Sequence, residues 1–198
     1  MSGGALVPPL VTPRLRLRAF AGTDFAALRR LDGDPEVLRY RSRPEITPAM
    51  TLAFLIQADR DALTPPETRR QWAWAGVRPG DDQLLVQLGL TRALERTDEA
   101  FMWYSTRRDA WGQGYAAEAA QAVLRYGFEA LGFQRVFAEC HPDNQASLRV
   151  MRKIGLRPEA HTAEEDARYP ERTGFHRCAL TAAEWAAIAD VVAAGPAP

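Results

Sequence analysis

The sequence predicts a mixed α/β fold in which a mostly antiparallel sheet is flanked by helices. Three candidate strands, residues 72–77, 84–91 and 100–106, are separated by short polar turns, which is typical of an antiparallel meander. A different order follows in residues 111–155, where a glycine-rich turn precedes a helix, a strand and a second helix. A strand, helix, strand order favours parallel pairing, because the crossover brings the chain back in the same direction. One mixed sheet accommodates both patterns.

The composition is that of a globular domain. A length of 198 residues is typical of one domain with a small extension, and such a chain folds without a disulfide or metal. The two cysteines do not form a disulfide framework. The 25 Lys and Arg residues balance the 25 Asp and Glu residues, so we expect neither a nucleic-acid nor a membrane partner. No membrane span or signal peptide is recognisable, and we expect a cytoplasmic protein.

The first third of the chain predicts one strand followed by short helices. Residues 12–18 alternate apolar and basic side chains, which indicates a strand with one buried face. Each of three helices is expected to begin after a polar N-cap: Thr23 or Asp24, then Asp34, then Thr47. The third of these helices is expected to bury Leu52, Leu55 and Ile56, which share one side at helical spacing.

The second half predicts a strongly amphipathic helix over residues 116–131, with Gly132 ending it. A strand over residues 135–140 follows, and Asn144 caps the next helix. The apolar stripe of the first helix contains Ala120, Val123, Leu124, Gly127, Phe128 and Leu131.

The domain boundaries follow from these elements. We expect a flexible leader over residues 1–11, a single domain over residues 12–185, and a C-terminal helix end and tail over residues 186–198. Thr181 and Glu184 have the spacing of a capping box, which opens that last helix.

The glycine turn before the amphipathic helix is the most informative segment, and it has the sequence Trp-Gly-Gln-Gly-Tyr-Ala-Ala-Glu-Ala over residues 111–119. Glycine allows a sharp turn and close approach of the backbone to a ligand, and the helix N-terminus adds N–H donors and a positive dipole end. These features predict a phosphate cradle, with a purely structural turn as the alternative. Both common nucleotide motifs are disfavoured, because no Lys-Ser/Thr pair follows and Ala117 replaces the third glycine of the dinucleotide fingerprint.

A second segment, with Pro-Asp-Asn-Gln-Ala-Ser at residues 142–147 and Lys-Ile-Gly-Leu at 153–156, adds to this pattern. Together the two segments resemble the GNAT superfamily of acetyl-CoA-dependent N-acetyltransferases, and within it the RimJ/RimL-type branch. The motifs at residues 12–18 and 180–185 also fit, so the resemblance spans about residues 12–185. It implies a GNAT-like α/β (α+β) fold with a mixed sheet of about six to seven strands and a β-α-β-α acyl-CoA-binding core.

The resemblance implies that acetyl-CoA binds at the glycine turn, where backbone N–H groups hold its pyrophosphate. Its pantetheine arm is expected to pair like an extra strand with the end of the preceding strand, around Ser105 to Arg107, where a backbone N–H stabilises the oxyanion. A splayed gap between that strand and the strand at residues 135–140 is expected to make room for the arm. Two of the implied residues have alternative roles: Arg107 in a solvated pair with Arg108, and Asn144 as a helix N-cap, which is compatible with binding. The implied CoA-binding residues are Ser105, Thr106, Arg107, Trp111, Gly112, Gln113, Gly114, Tyr115, Ala116, Asn144 and Ser147.

The implied reaction is direct attack of an amine on the thioester in a ternary complex. Glu139, five residues before Asn144, is the first candidate for the general base, with a surface carboxylate as the alternative. His141 is a second candidate base or an ordinary loop residue. Ser147 resembles the residue proposed to protonate the departing thiolate, or it is a polar residue of the second helical turn. Met151 stands where some relatives have a catalytic tyrosine.

The acceptor is expected to be a primary amine, either a small molecule or a protein N-terminus. Its site is expected to be built from residues 20–60 and the strand at residues 72–77. The aromatic residues considered for its walls are Trp72, Trp74, Trp103 and Tyr104.

Other features are expected to be structural. Glu118 suits the positive end of the helix dipole, and Cys140 and Cys178 are expected to pack as small apolar residues. No His or Cys spacing indicates zinc, so we expect no metal. We expect a monomer or homodimer. Two alternatives stay open: a non-catalytic CoA-binding regulatory or interaction module, and an acyltransferase that uses another acyl-CoA.

Overall fold

The computed structural model describes residues 7–41, 45–161, 167 and 172–194, with side chains described up to residue 188. In this part of the chain, eight strands form one sheet in the order β1-β2-β3-β4-β5-β6-β8-β7. All neighbouring strands are antiparallel except β5 and β6, which are parallel. The strands are β1 (Leu10–Val11), β2 (Arg16–Arg18), β3 (Gln71–Val77), β4 (Leu84–Arg92), β5 (Glu99–Thr106), β6 (Arg135–Cys140), β7 (Arg157–Glu159) and β8 (His176–Thr181).

Helices cover both faces of the sheet. Side chains of successive strand residues point to opposite faces, so the strands contribute apolar side chains to a core on each side. Along β3, Trp72 and Trp74 belong to the larger apolar core, which also contains the buried face of the fourth helix. Ala73 and Ala75 belong to a second core shared with the early helices. The helices are α1 (Phe25–Asp32), α2 (Pro35–Leu38), α3 (Pro48–Leu63), α4 (Tyr115–Glu129), α5 (Gln145–Lys153) and α6 (Ala182–Ala194).

The predicted mixed and mostly antiparallel fold is confirmed. The meander corresponds to β3, β4 and β5, and the parallel pair is β5 and β6. The eight strands of the described residues exceed the six to seven expected, because two short strands extend the edges of the sheet. These are β1, with two residues, and β7, with three. None of the helices in the described residues has the length and apolar character needed to cross a bilayer.

The prediction for residues 12–18 was wrong in detail, since only Arg16–Arg18 form a strand there. Thr12 closes a turn instead: its backbone N–H donates to the Leu15 carbonyl oxygen at 2.9 Å, and its hydroxyl accepts from the Leu15 N–H at 2.9 Å. Pro13 within this turn has no N–H to give to a sheet.

The predicted apolar face of α3 was also wrong. Leu55 is buried as expected, but Leu52 and Ile56 are 52% and 47% exposed. The helix turns Thr51 and Ala58 inward instead. Small side chains let the helix axis approach the sheet more closely than three long ones, and this outweighs the apolar pattern.

Residues 7–11, which fall in the predicted leader, pack against the sheet. Val7 is buried, and the Pro8 carbonyl oxygen accepts a hydrogen bond from Trp74 Nε1 at 2.9 Å. Leu10 and Val11 pair with β2. The remainder of the leader, residues 1–6, lies outside the described residues, as do residues 195–198 of the predicted tail.

Strands β5 and β6 pair over only three residue pairs, the last being Phe101 with Phe137. Beyond it, β5 continues to Thr106 and β6 continues to Cys140 without further pairing between them. The register therefore leaves a gap between the two strands on the side where the glycine turn leads into α4.

Candidate active site

The glycine turn between β5 and α4 has backbone amides without acceptors. Gly112 and Gly114 have φ angles of 74° and 84°, in the left-handed region that favours glycine. Gly114 is the N-cap of α4, and the first backbone hydrogen bond of the helix runs from Glu118 N–H to the Gly114 carbonyl oxygen at 3.1 Å. In the described part of the chain, the N–H groups of residues 113–117 have no hydrogen-bond acceptor. They are available to an anion.

Two cationic side chains lie beside these amides. A Cβ added to Gly114 would lie 3.5 Å from Arg14 Nη2 and 3.9 Å from Lys153 Nζ. Arg14 is held in place, because its Nη1 donates to the Gln113 carbonyl oxygen at 2.9 Å and its Nε donates to Glu118 at 2.7 Å. Lys153 is exposed at the end of α5. An anion in the turn would meet amide donors and positive charge together.

Glu118 connects this turn to the start of the sheet. Its carboxylate accepts from the Thr12 hydroxyl at 2.6 Å and from the Arg14 N–H at 2.8 Å, besides the Arg14 guanidinium. Burial raises the pKa of Glu118, but these hydrogen bonds lower it by more, so the pKa lies below its ordinary value. Glu118 has the structural role expected for it.

The side chains of Trp111 and Arg107 form hydrogen bonds within the protein. Trp111 Nε1 donates to the Thr106 carbonyl oxygen at 2.7 Å, which ties the turn to the end of β5. Arg107 donates to Asp109 at 2.5 Å and 2.8 Å and to the Leu84 carbonyl oxygen at 3.3 Å. Arg107 therefore does not form the solvated pair with Arg108 that was considered.

Backbone hydrogen bonds decide which residues of β5 face the gap. Arg107 N–H donates to the Leu85 carbonyl oxygen of the neighbouring strand at 2.9 Å. Since backbone groups alternate in direction along a strand, Arg107 and Ser105 are directed toward β4, whereas Tyr104 and Thr106 are directed toward the gap. Of the three residues expected along the pantetheine arm, only Thr106 has its backbone on that side. Sequence reasoning did not place Tyr104 along the pantetheine arm, because this assignment needs the register of the sheet.

Asn144 and Ser147 lie at the start of α5. Asn144 Oδ1 accepts from the Ser147 N–H at 3.0 Å, so the expected N-cap is confirmed. The Tyr104 hydroxyl lies 2.8 Å from Ser147 Oγ and 3.1 Å from its carbonyl oxygen. Burial raises the pKa of Tyr104 well above its ordinary value. Burial also raises the pKa of Cys140, and with a hydrogen bond to Ser147 lowering it in part, the pKa is about 11.

Glu139 is not free to act as a base. Its side chain is 3% exposed, and one carboxylate oxygen accepts from Arg177 Nη2 and Nε at 2.6 Å and 2.9 Å. The other oxygen accepts from Arg172 at 3.2 Å. A carboxylate held by two guanidinium groups has its lone pairs engaged and its negative charge stabilised. The structure gives Glu139 a buried ion pair between β6 and β8, which is neither of the roles considered from the sequence.

His141 lies at the end of β6 between two aromatic rings. Its ring is centred 5.5 Å from Tyr40 and 5.6 Å from Phe175. Its Nδ1 accepts from the Asp143 N–H at 3.2 Å and lies 3.8 Å from the Asp143 carboxylate, so the lone pair of that nitrogen is engaged by the backbone.

The early helices cover the sheet face to which Glu139 belongs. Phe54 of α3 contacts Trp103 of β5, with ring centroids 6.0 Å apart. Trp72 and Trp74 are fully buried in the opposite core, so they were wrong as candidate walls. Only Trp103 among the aromatic candidates faces this side.

This constellation of turn, gap and helices can be compared with known proteins. A family model for the acetyltransferase (GNAT) domain matches residues 14–157. The chain belongs to the GNAT family. It is an acetyltransferase, as is consistent with the names of its relatives.

The GNAT assignment is supported by one relative and by solved structures. YnaD, an uncharacterized N-acetyltransferase of Bacillus subtilis, is 32% identical over 151 residues, which cover 76% of this chain and 83% of that protein. A GNAT acetyltransferase structure from Bacillus anthracis has a TM-score of 0.74 and 24% identity, covering 89% of this chain and 100% of that one. Mycobacterium smegmatis RimJ in complex with CoA-disulfide has a TM-score of 0.71 and 21% identity, covering 89% of this chain and 87% of that one. These structural likenesses establish the shared fold.

Proposed function

We propose that this GNAT protein transfers an acetyl group from acetyl-CoA to a primary amine by direct attack in a ternary complex. The observation that supports this most strongly is the row of acceptor-free amides at residues 113–117, next to Arg14 and Lys153. Such a site suits a diphosphate, because N–H donors and positive charge converge on one point.

The binding of the co-substrate follows from the residues around the gap. The pyrophosphate would bind the amides that follow Gly112, and the pantetheine arm would pair with the backbone of Tyr104 and Thr106. A backbone N–H on that edge would donate to the thioester oxygen and stabilise the negative charge that develops there. Ser147, at the start of α5, would donate to the departing sulfur.

The deprotonation of the amine needs a different account from the one expected. Glu139 is held by Arg172 and Arg177, and His141 Nδ1 accepts a hydrogen bond from the Asp143 backbone. Positioning of the two substrates would then supply most of the rate, with the proton lost to water. This favours an α-amine, whose pKa of ~7.7–8.0 leaves a neutral fraction at physiological pH, over a lysine side chain with a pKa of ~10.4. Both protein N-termini and small molecules contain α-amines.

We also propose a cytoplasmic monomer or homodimer with a single catalytic domain, in which Val7 and β1 join the predicted residues 12–185. The engagement of Glu139 favours one alternative, a CoA-binding module without catalysis. A different acyl-CoA as donor is the other alternative, and turnover on acetyl-, succinyl- and longer acyl-CoAs distinguishes it.

The direct experiment incubates the purified protein with acetyl-CoA and a panel of N-terminal peptides and small amines. Thiol release and the mass of the product are measured, and CoA binding is measured separately by calorimetry. We expect CoA to bind and a subset of amines to be acetylated. CoA binding without turnover on any amine would support the non-catalytic module, and absence of CoA binding would refute the proposed function altogether.

A further inference from the structure

Ser147 contacts β5 beyond the point where it diverges from β6. The last pair of β5 and β6 joins Phe101 to Phe137, and three residues further along each strand are Tyr104 and Cys140. These two side chains therefore occupy equivalent positions on either side of the gap and point toward α5. The Ser147 hydroxyl lies within hydrogen-bond distance of the Tyr104 hydroxyl, at 2.8 Å.

The hydrogen atoms of this cluster can be assigned by counting donors. The Ser147 hydroxyl has one hydrogen and two lone pairs. The closer contact of the Tyr104 hydroxyl is to Ser147 Oγ at 2.8 Å, and its contact to the Ser147 carbonyl oxygen is 3.1 Å. When the Tyr104 O–H donates to Ser147 Oγ, the Ser147 hydroxyl accepts that bond and does not spend its own hydrogen on Tyr104. Its own hydrogen is then left to point into the gap.

Tyr104 and Cys140 keep their hydrogens over the working pH range. Burial raises the pKa of Tyr104, and the pKa of Cys140 is about 11. Neither group becomes an anion that would compete with a departing thiolate for the Ser147 hydrogen.

We propose that Tyr104 is a positioning residue, which directs the Ser147 hydroxyl toward the sulfur of CoA. This rests on the proposed function. In the transfer, the amine nitrogen forms a bond to the acetyl carbon, the carbon–sulfur bond breaks, and its electron pair goes to sulfur. Ser147 donates a hydrogen bond to this thiolate without losing its proton. The nitrogen gives its proton to water, and the thiolate takes one from water on release.

The test needs no acceptor, because the same hydrogen bond stabilises the thiolate of free CoA. Calorimetry measures the Kd of CoA and of desulfo-CoA, which lacks the sulfur, at about pH 6.5 and about pH 9.5, on either side of an ordinary thiol pKa of ~8.5. The ratio of the two Kd values cancels every titration that does not involve the sulfur. One hydrogen bond to the thiolate is expected to make the ratio of the desulfo-CoA Kd to the CoA Kd roughly tenfold larger at the higher pH than at the lower pH.

Matched variants separate positioning from packing. Tyr104→Phe and Ser147→Ala are both expected to abolish the pH dependence of the ratio. Any change in affinity that does not involve the sulfur affects CoA and desulfo-CoA alike and cancels in the ratio of each variant. Tyr126→Phe, which removes a tyrosine hydroxyl from α4 away from the gap, is expected to retain the pH dependence. Tyr104→Leu removes the same hydroxyl as Tyr104→Phe with a smaller side chain and is also expected to abolish the pH dependence, which keeps the proposal falsifiable if Tyr104→Phe does not fold.

The outcomes are distinct. A wild-type ratio that does not change with pH refutes the proposal, while CoA binding itself leaves the proposed function intact. If the pH dependence of the ratio is lost in Ser147→Ala but kept in Tyr104→Phe, Ser147 is oriented without Tyr104. That result also refutes the proposal. Absence of binding for both ligands would refute the proposed function instead.

Discussion

The glycine turn before α4 and the ion pair of Glu139 flank the same gap, but they are held by different interactions. The turn depends on backbone conformation, with positive φ angles at Gly112 and Gly114 and free amides after them. The ion pair depends on side chains that arrive from β6, from β8 and from the segment before β8. The comparison teaches that the proposed anion-binding half of the site is a local structure, whereas the opposite half is a tertiary one. Changes in the two halves should therefore differ in kind, with ligand affinity affected in one and folding in the other.

The largest effect is expected from Glu139→Gln. The change leaves Arg177 buried beside a neutral amide, and breaking a buried ion pair in this way costs about 3 kcal/mol of unfolding free energy. Urea unfolding measures the loss, and we expect the folded fraction to keep its CoA affinity. Glu129→Gln, at an exposed pair on α4, is the control and should change stability by less than about 0.5 kcal/mol. A stable Glu139→Gln protein with a large loss of turnover would instead restore Glu139 as the base.

Gly114→Val is expected to give the next largest effect, on affinity. A branched side chain at φ 84° would displace the backbone and cover the amides, so the Kd for CoA should rise roughly tenfold or more. Gly132→Val is the matched control, because it has a similar φ of 70° and open space around it but lies at the far end of α4. Scanning calorimetry should show an equal loss of stability in Gly114→Val and Gly132→Val. Titration calorimetry should show a loss of CoA binding in Gly114→Val alone. Unchanged CoA affinity in Gly114→Val would remove the reason for locating the pyrophosphate there.

Lys153→Gln tests the charge beside the turn and should have a smaller effect. Removing one exposed cation near a diphosphate is expected to weaken CoA binding about fivefold at low salt, and less at high salt because of screening. Titrations at two salt concentrations measure this. Arg125→Gln removes an exposed cation elsewhere on the molecule and should leave the affinity unchanged. Equal effects of the two substitutions would mean that only net charge matters.

The smallest effect concerns Glu118 and depends on pH. Its pKa is lowered in the folded protein, so it contributes stability above its ordinary pKa of 4.5, and that contribution is lost as the pH falls through the folded pKa. Glu118→Gln should therefore be less stable than the wild type by about 0.5 kcal/mol at neutral pH. The difference should shrink below pH 4.5. Urea unfolding at both pH values measures it, and a difference that grows on acidification would contradict the sign of the shift.

Sequence patterns were sufficient wherever the structure is determined by nearby residues. The helix that follows the glycine turn, the strand Arg135–Cys140 and the Asn144 cap were all predicted, because each depends on side chains within a few positions. The family resemblance was carried by the same local motifs. The buried side of α3 was predicted wrongly, since it depends on how closely that helix approaches the sheet.

What the sequence alone determined is therefore the backbone of the anion cradle and the order of elements around it, because positive φ angles and helix starts are local properties of glycine and polar caps. Only the tertiary structure decided the chemistry of the side chains that face the gap. Arg177 and Arg172, more than 30 residues away along the chain, engage Glu139, and the register with β4 selects Tyr104 and Thr106 over their neighbours. Such pairings join distant segments, and a one-residue shift of register would reverse every assignment.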